Sequence, residues 1–530
     1  MPKERSFKLT YATMFNPPPE LHTRFEKTLK EIKSKLGWEY SMLINGEDYK
    51  AQETFEDRSP IDTDMVLGYF QKGTAADADA AITAAREAAH AWGTTDWRER
   101  IANLRKAAEI IDERIFEFGA VIALEVGKNR MEALGDAAEA ADLIRYACDQ
   151  VEANDGFVKE MGHDPLQGYS AVNFSILKPY GVWLVISPFN FPAALTGGPA
   201  GAALAAGNTV VIKPASDTPW TSRLLAECFR DAGLPNGVVN YVTGPGSTLG
   251  QALIDHPAVD GVTFTGSYQV GMGIYRNFAQ RAYAHPTILE LGGKNAAIVS
   301  KNADVEDAAL GIVRSAFGLQ GQKCSACSRV FIEKPVYQAV LNRVLSLTGK
   351  LEIGDPTERP VYLGPVINQK SYQDYQDYIQ EIFQAGGRVL TGGKVKTEGA
   401  FANGYFCEPT IVLDLPEDHR LWKQEMFVPI TTIMPVDSLD DAMHRMLDTH
   451  YGLTAGFYGS LEEAQWFFQH TQSGVNYANR PQGATTGAWP GFQPFGGWKG
   501  SGSSGKNAGG LYYVQLYMHE QIQTLIRPEE

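Results

Sequence analysis

A stretch of 34 residues without a charged side chain, from Pro179 to Ile212, constrains the fold of this chain more than any other feature. It is long enough to span a bilayer. Pro188, Pro192 and Pro199 would, however, break a membrane helix repeatedly where lipid offers no replacement hydrogen bonds. The stretch therefore predicts a buried strand, a loop and a buried helix, and no membrane span.

Strand and helix patterns alternate from this stretch onwards. Before Glu290, short β-branched runs occur at 182–186, 209–212, 238–242 and 262–264, with a helical pattern at 222–232. After Glu290, such runs occur at 296–299, 330–332, 389–390 and 431–434. Strands and helices at this interval are typical of parallel sheets with crossover helices. The sequence therefore predicts two α/β units.

The two outer parts of the chain follow other patterns. The first third is predicted to be helix-rich, with apolar residues at helical spacing in 76–92, from about 100 to 122, and in 131–148. Gly, Ser, Pro and aromatic residues dominate 479–506, which predicts a long loop that carries binding residues. A strand-like run at 512–523 has an open edge that needs a partner.

Composition excludes several partners and locations. The 47 Lys and Arg against 62 Asp and Glu give a net charge of −15, which would repel a nucleic acid. The first residues show no targeting segment. Five cysteines are too few to staple a secreted chain of 530 residues. We therefore expect a cytoplasmic protein that binds neither nucleic acid nor membrane.

Cys324 is the first candidate for chemistry. A lone cysteine is more often a small buried apolar residue, but GLQGQKCSACSR is polar and flexible, which favours an accessible thiol with a stabilised thiolate. Cys327 completes a CxxC pattern. A zinc site would need further ligands, and no second CxxC or HxxxH pattern supplies them, so no metal is expected. A dithiol redox pair remains open.

Two further residues could take part in catalysis. Glu290 ends an apolar strand in ILELGGK, where a carboxylate needs a reason to be buried, and a general base is one such reason. Asn190 follows another strand in VISPFNFP, where it could also be an ordinary turn residue.

Glycine-rich turns after the strands indicate a nucleotide site, although no GxGxxG motif is present. Gly246 and Gly250 lie in TGPGSTLG, and FTGS places Ser267 between a strand and a helix. A strand, a Gly-Ser turn and a helix N-terminus together present N–H groups to a phosphate. Lys213, at the end of VVIKP, could place an ammonium beside a ribose.

The motifs FNFP, VVIKP, FTGS, ELGGK, GQKCS, QEMF and QPFGG occur here in one order and spacing, which resembles the aldehyde dehydrogenase superfamily over roughly 43–520. The resemblance implies an α/β fold with a Rossmann-like cofactor domain, an α/β catalytic domain and a small β oligomerisation flap. The implied NAD(P)-binding domain is 1–155 and 176–289. The implied catalytic domain is 290–507, and the flap combines 156–175 with 508–530.

The resemblance also implies roles for the catalytic residues. Cys324 would attack the aldehyde, and the Asn190 amide with the Cys324 N–H would form the oxyanion hole. Collapse of the tetrahedral adduct would expel hydride to the nicotinamide. Glu290 would then activate the water that hydrolyses the thioester.

By the same resemblance, the cofactor is NAD, with NADP left open. NAD-restricted members often carry Glu three residues after the lysine, whereas this chain has Ser216, and Val428 replaces a usual Gly. The implied cofactor-binding residues are Ile186, Ser187, Pro188, Phe189, Lys213, Ser216, Gly246, Gly250, Thr265, Gly266, Ser267, Leu291, Glu425 and Phe427.

Within the superfamily, EVGKN, FGLQGQKCSA and TGAxxGxQPFGG resemble the 1-pyrroline-5-carboxylate dehydrogenases. That group oxidises L-glutamate γ-semialdehyde to glutamate in proline catabolism. The implied substrate-binding residues are Ser325, Gly487, Ala488 and Phe495. The loop before QPFGG is longer than the resemblance predicts, and Trp489 and Pro490 are unusual in it.

The expected partners are a small aldehyde substrate and a second copy of the chain, in a homodimer or a higher homo-oligomer. Three other functions stay open. The first is oxidation of another small aldehyde such as succinate semialdehyde. The second is thiol-disulfide exchange through Cys324 and Cys327, and the third is a non-catalytic nucleotide-binding scaffold.

Overall fold

The computed structural model describes residues 8–529. Residues 1–7, on which the expectation of no targeting segment partly rests, and residue 530 lie outside the described residues. The described chain begins with helix α1 at Pro19–Lys33 and five short strands. These strands are β1 Trp38–Tyr40, β2 Met42–Ile44, β3 Glu47–Tyr49, β4 Thr54–Arg58 and β5 Val66–Gln71. The sequence analysis predicted none of them, because most are too short to show alternation.

Four helices follow, namely α2 Ala75–Thr94, α3 Trp97–Glu113, α4 Ile115–Val126 and α5 Arg130–Ala153. The single helix predicted from about 100 to 122 is wrong. The backbone leaves helical geometry at Arg114 (φ −93°, ψ 11°), where α3 ends and α4 begins. The Arg114 guanidinium fixes this break by donating to Glu117 at 2.8 Å and to Glu227 at 2.9 Å.

Two strands of a separate sheet come next, β6 Val158–Glu160 and β7 Tyr169–Pro179, and the chain then enters the main part of the first large sheet. Its elements are β8 Val182–Ile186, α6 Ala194–Ala206, β9 Thr209–Lys213, α7 Pro219–Asp231, β10 Val239–Tyr241, α8 Gln251–Asp255, β11 Gly261–Thr265, α9 Tyr268–Ala279 and β12 Thr287–Glu290. The strand order is β12-β11-β8-β9-β10-β2-β3, and the first five are parallel. The four strands predicted in this unit are confirmed to within one residue.

The charge-free stretch forms β8, a loop, α6 and most of β9, as predicted. Pro199 lies inside α6 rather than breaking it. Glycines on α6 let it approach α5 closely, since a Cβ added at Gly198 or Gly201 would lie 2.8 Å from side-chain atoms of α5. No helix within residues 8–529 is long and apolar enough to cross a membrane.

The second large sheet confirms the second predicted α/β unit. Its elements and their connections are β13 Asn295–Val299, α10 Val305–Phe317, β14 Cys327–Glu333, α11 Lys334–Thr348, α12 Gln369–Gln384, β15 Arg388–Thr391, β16 Val395–Lys396, β17 Phe406–Cys407, β18 Thr410–Leu413, β19 Ile430–Val436, α13 Leu439–Leu447, β20 Tyr451–Gly452, β21 Thr454–Tyr458, α14 Leu461–His470 and β22 Val475–Ala478. The order is β15-β18-β19-β14-β13-β21-β22, with only β15 antiparallel to its neighbour.

The chain then passes through the predicted long loop, interrupted by β23 Trp498–Lys499, to β24 Met518–Pro528. The strand predicted at 512–523 is wrong in its first half, because Val514–Tyr517 is a short 3₁₀ turn. Tyr517 points into the core there and donates to the Tyr513 hydroxyl at 2.8 Å. β24 pairs antiparallel with β7, and β6 completes this third sheet. The sheet includes 176–179, which the predicted division placed in the cofactor domain.

The carboxyl ends of four parallel strands meet at one edge of the first sheet. Ile186 pairs with Lys213, and Thr265 pairs with Glu290. The chain order reverses at β8, which lies between β9 and β11. Ligands of open α/β sheets bind outside the strand ends at such a reversal.

Candidate active site

Lys213 lies at this edge with its side chain buried. Its Nζ donates to the Pro214 carbonyl at 2.9 Å, so two further N–H groups remain. Burial lowers the pKa of Lys213 to about 8, against the opposing effect of Asp217. Gly250 lies beside this side chain, because a Cβ there would be in van der Waals contact with the Lys213 Cε at 3.4 Å. Lys213 thus places one ammonium group at the carboxyl edge of the strands.

Three other predicted residues surround Lys213. Ser216 is exposed, and its hydroxyl lies 3.4 Å from the Gly244 carbonyl oxygen. Gly246 is exposed and has open space above it. The Ser187 N–H donates to the Lys213 carbonyl at 3.2 Å, which ties the loop after β8 to the end of β9.

The N-terminus of α9 faces the same edge. Ser267 caps the helix, with its hydroxyl accepting from the Val270 N–H at 3.4 Å. The Gly266 N–H is already donated to the Glu290 carbonyl at 3.1 Å. The first N–H groups of α9 remain for an anion, because a helix leaves its first donors without partners.

Glu425 and Phe427 lie beside the strand that ends in Glu290. The Glu425 carboxylate accepts from the Gly293 N–H at 3.0 Å, and burial raises its pKa to about 7. Gly292 permits this approach, since a Cβ there would lie 2.2 Å from a Glu425 oxygen. The Phe427 ring meets the Phe189 ring edge to face, with centroids 5.8 Å apart.

These groups fit a nicotinamide dinucleotide. The edge offers a cation and a carboxylate for ribose hydroxyls, helix N–H groups for a pyrophosphate, and aromatic rings for a planar base. Leu291 completes the floor, because it packs against Gly271, where a Cβ would lie 2.4 Å from it. The fit depends on residues that were predicted from the sequence, although the N–H groups of Ser187 and Gly266 are occupied by bonds to the Lys213 and Glu290 carbonyls.

Cys324 follows a strained turn. Leu319, Gln320 and Gly321 have φ of 48°, 53° and 68°, a left-handed run that non-glycine residues rarely adopt. Glu132 of α5 holds this turn at both ends. It accepts from the Leu319 N–H at 3.0 Å and from the Lys323 ammonium at 2.6 Å. The sequence analysis missed Glu132, because nothing local links α5 to this turn.

Asn295 fixes the backbone around Cys324. Its amide donates to the Cys324 carbonyl at 2.7 Å and to the Ala326 carbonyl at 3.0 Å. Gly293 lies against the same carbonyl, since a Cβ there would be 2.4 Å from the Cys324 oxygen. Asn295 directly follows ELGGK, so its place in the sequence was a usable signal that the analysis did not take up.

The Cys324 thiol is half-buried, and its pKa is raised rather than lowered. Burial contributes most, and the carboxylates of Glu425 and Glu290 add to it. The N–H groups of Ser325 and Cys324 act in the opposite direction. The expectation of a stabilised thiolate is therefore wrong for this structure, because desolvation exceeds the stabilisation from the backbone. The thiol needs a base.

Glu290 can be that base. It is buried, and one of its carboxylate oxygens has no hydrogen-bond partner among the described residues. Burial raises its pKa to about 8, so it exchanges a proton close to neutral pH. Asn190 is tied to the segment before Cys324, because its amide donates one hydrogen to the Gln322 carbonyl at 2.9 Å. Its second amide hydrogen is left for a substrate oxygen.

Cys327 differs from Cys324 in its accessibility, although burial raises the pKa of both thiols. It is buried at the start of β14, its Sγ lies 3.5 Å from the Arg329 carbonyl, and burial raises its pKa to about 12. Both cysteines are free thiols. This placement weakens the dithiol hypothesis, because only one sulfur reaches a cavity.

Cys324 lies between two cavities. The first has about 670 Å³ of space, and all four predicted substrate-binding residues line it: Ser325, Gly487, Ala488 and Phe495. The second has about 630 Å³, and both Glu290 and Thr265 line it. Glu139 and Cys324 line both. A reactant at the sulfur would therefore meet the predicted substrate-binding residues on one side and the Glu290 carboxyl on the other.

Arg480 shapes the wall of the first cavity. Its guanidinium donates to the Thr486 carbonyl at 2.8 Å and to the Gly487 carbonyl at 2.6 Å. Gly487 has φ 92°, a left-handed conformation that glycine accommodates. Within residues 8–529, neither the Gly487 nor the Ala488 N–H has an acceptor. Two adjacent free N–H groups form an anion site. Gly487 and Ala488 were predicted from the sequence, whereas Arg480 was not.

Comparison with known proteins agrees with this geometry. A sequence profile described as the aldehyde dehydrogenase family matches residues 48–522. The chain belongs to the aldehyde dehydrogenase family. The predicted family and fold class are therefore confirmed.

Three relatives narrow the comparison. A 1-pyrroline-5-carboxylate dehydrogenase of Geobacillus sp. strain WCH70 is 39% identical over 506 residues, or 93% of this chain and 94% of that protein. The structure of 1-pyrroline-5-carboxylate dehydrogenase from Thermus with bound NAD has a TM-score of 0.91 at 34% identity and covers 99% of this chain and 100% of that one. An NADP-dependent Escherichia coli enzyme has a TM-score of 0.85 at 31% identity and covers 93% of this chain and 98% of that one.

Proposed function

We propose that this chain oxidises L-glutamate γ-semialdehyde to glutamate with NAD(P), as a step of proline catabolism. The names of the Geobacillus and Thermus relatives support this substrate. The observation that carries the proposal is the lining of the first cavity. It combines an anion site, a carboxylate and a reactive sulfur, which are the three groups that an amino-acid aldehyde requires.

Each end of the substrate has a complementary group. The free N–H groups of Gly487 and Ala488 and the hydroxyl of Ser325 suit its α-carboxylate. Glu139 lines the same cavity, and burial raises its pKa to about 8. The α-ammonium of the substrate would lower that pKa and keep the carboxylate ionised. Phe495 adds apolar surface for the methylene groups that lie between the α-carbon and the aldehyde.

The first chemical step uses the groups around Cys324. Glu290 takes the thiol proton, and the sulfur forms a bond to the aldehyde carbon while the carbonyl electron pair moves to oxygen. The Asn190 amide and the Cys324 N–H hydrogen-bond to that oxyanion. The bound nicotinamide supplies one function, which is to accept the hydride that leaves the carbon with its electron pair as the C=O bond re-forms.

The second step releases the acid. Glu290 first releases the thiol proton to solvent, and it then accepts a proton from a water molecule that attacks the thioester carbon. The carbon–sulfur bond breaks with its electrons returning to sulfur, which takes up the proton that Glu290 now holds. The raised pKa of Glu290, about 8, suits this task because the carboxylate is a stronger base than one in water. The same residue therefore serves both half-reactions.

Succinate semialdehyde is the second candidate substrate, because it also carries a carboxylate. It lacks the ammonium, however, and would bring no cation to the half-buried Glu139 carboxyl. Thiol-disulfide exchange is disfavoured by the burial of Cys327, and a non-catalytic scaffold by the free base beside Cys324.

A panel of aldehydes tests the proposal. We expect kcat/KM for glutamate γ-semialdehyde to exceed those for succinate semialdehyde and propanal by roughly 10-fold or more, since a missing charged partner costs about 1.5–3 kcal/mol. Reduced cofactor is followed by absorbance, with NAD and NADP in separate assays. Equal values for the three aldehydes would contradict the substrate while leaving the aldehyde dehydrogenase chemistry intact.

The division into domains and the assembly are also proposals. We propose that 1–155 with 176–289 bind the cofactor, that 290–507 carry the catalytic cysteine, and that 156–175 with 508–530 join subunits. Ile522, Leu525 and Ile526 of β24 support the last point, because their side chains are at least 50% exposed.

Sedimentation of wild-type protein and of the double variant Ile522→Lys, Ile526→Lys tests the assembly. We expect wild-type protein to sediment as a homodimer or a higher oligomer and the double variant to sediment as a smaller species. An unchanged sedimentation coefficient would contradict this interface.

We further propose a cytoplasmic location, which the five free thiols support, since thiols stay reduced there.

A further inference from the structure

The described chain begins with an arm, residues 8–16, that reaches the substrate cavity. Tyr11, Met14 and Phe15 of the arm line the first cavity together with Cys324. Tyr11 and Met14 are buried, although the arm precedes α1 and lies outside the part of the chain that matches the family profile. The family core therefore leaves one wall of this cavity to be formed by the arm.

Specific contacts hold the arm in place. Thr10 and Thr13 form a closed turn, with the Thr13 N–H and the Met14 N–H both donating to the Thr10 carbonyl at 3.0 Å. Lys8 binds the Asp142 carboxylate of α5 at 2.8 Å. The same carboxylate accepts from the indole N–H of Trp489 at 2.9 Å. The arm, α5 and the unusual loop residue Trp489 thus share one anchor.

Tyr11 makes the contacts closest to the reactants. Its ring meets the rings of Trp489 and Phe191 edge to face, at 5.3 Å and 6.2 Å between centroids. α5 makes space for it at Gly135, where a Cβ would lie 3.0 Å from the Tyr11 ring. Its hydroxyl donates to a Glu139 oxygen at 2.7 Å. A phenol at this place both fills volume and fixes one oxygen of a cavity carboxylate.

We propose that Tyr11 determines substrate specificity in two separable ways. Its ring closes the cavity to aldehydes longer than a five-carbon amino-acid aldehyde. Its hydroxyl is a positioning group that holds Glu139 with one oxygen bound and the other directed at the substrate ammonium. The second role rests on the proposed function, whereas the first holds for any aldehyde that reacts with Cys324.

Two variants of Tyr11 separate the roles. Tyr11→Phe keeps the ring and removes the hydroxyl, so we expect KM for glutamate γ-semialdehyde to rise roughly fivefold, with kcat and the constants for propanal unchanged. Tyr11→Ala also opens the wall. We expect kcat/KM for hexanal and octanal, relative to propanal, to rise roughly 10-fold or more over wild type.

Tyr375→Phe is the matched control. Tyr375 is a buried tyrosine of α12 whose hydroxyl donates to the Glu408 carbonyl at 2.8 Å, away from both cavities. This change removes a buried hydroxyl in the same way and should leave all aldehyde constants unchanged. Thermal unfolding of every variant is measured beside the kinetics, and Tyr11→Leu replaces Tyr11→Ala if the latter does not fold.

The outcomes separate this inference from the proposed function. If the chain-length profile of Tyr11→Ala or Tyr11→Leu matches wild type, the ring does not limit length and the first role is overturned. If Tyr11→Phe binds glutamate γ-semialdehyde as wild type does, the second is overturned. If wild type shows no preference for that substrate but the wall variants accept longer aldehydes, the proposed substrate fails and the first role stands.

Discussion

The catalytic edge and the cavity wall of this protein are built in different ways. The catalytic edge, which we define as Asn190, Glu290 and Cys324, consists of residues at or next to strand ends in the two large sheets. The cavity wall is defined as Tyr11, Glu139 and Trp489, which line one or both cavities, with Arg480, which binds the Gly487 loop of the first cavity. These residues come from an arm, a helix and a loop. The edge belongs to short local motifs, whereas the wall exists only after distant segments have packed. Changes at the edge should affect every aldehyde equally, and changes at the wall should affect one substrate more than another.

The largest expected effect is that of Cys324→Ser. Cys324 lines both cavities and is the one cysteine among the described residues that is not fully buried, so we expect kcat to fall by roughly 10⁴-fold or more for every aldehyde. Cofactor binding, followed by fluorescence quenching, should be unchanged.

Cys327→Ser is the control for that change. Because Cys327 is buried in β14, we expect activity within about twofold of wild type and a loss of stability of about 1 kcal/mol. Equal inactivation by both substitutions would revive the dithiol hypothesis.

Glu290→Gln should slow hydrolysis of the thioester by roughly 100-fold. Because Glu290 also takes the thiol proton, the first turnover should slow as well, so stopped-flow absorbance should show no fast burst of reduced cofactor. In wild type the steady rate should fall as pH drops through about 8, because the pKa of Glu290 is raised to about 8 and only the carboxylate is a base. The variant should lose this pH dependence, and Glu306→Gln, at an exposed site, should keep it.

Arg480→Ala tests the wall. Without its two hydrogen bonds the Gly487 loop is no longer fixed, so we expect KM for glutamate γ-semialdehyde to rise roughly 10-fold. KM for propanal should change little, since propanal has no carboxylate. Arg388→Ala removes an exposed arginine elsewhere and should change neither constant. If kcat/KM fell by the same factor for all aldehydes, Arg480 would belong with the catalytic edge instead.

The smallest effect is expected from Ser216→Glu. A carboxylate at this exposed position would repel the 2′-phosphate of NADP across water, at a cost of about 1 kcal/mol. The ratio of kcat/KM for NAD to that for NADP should therefore rise roughly fivefold. An unchanged ratio would mean that Ser216 does not face the adenine ribose.

Much of the fold could be predicted from sequence, because most strands of the two large sheets are parallel and buried. Such strands read as short apolar, β-branched runs, and Val182–Ile186 was predicted to the residue. The strand-end motifs then located Lys213 and Glu290, since the last residue of a strand lies at the edge of the sheet, whereas Cys324 was located by its polar surroundings in GQKCS. The strands of 38–71 were missed, because most hold only three residues and show no periodicity.

The wall could not be predicted in the same way. Tyr11 and Glu139 are 128 residues apart, and no local pattern in either segment indicates that the two side chains meet. The protonation of Cys324 was also mispredicted, because polar neighbours in the sequence say nothing of the desolvation that the folded cavity imposes. Trp489 was noticed as unusual, but its bond to Asp142 depends on packing alone.

The pairing of β7 with β24 bears on how this protein is made. The Ser175 hydroxyl donates to Glu520, 345 residues further along the chain. At roughly 5–20 residues per second, a ribosome needs on the order of 20–70 s to reach that partner. Throughout that time the 11 residues of β7 present an open edge that other strands could join. A chain whose synthesis stops before β24 would keep the edge of β7 permanently exposed. In the cell, such incomplete chains should depend on chaperones far more than full-length chains do.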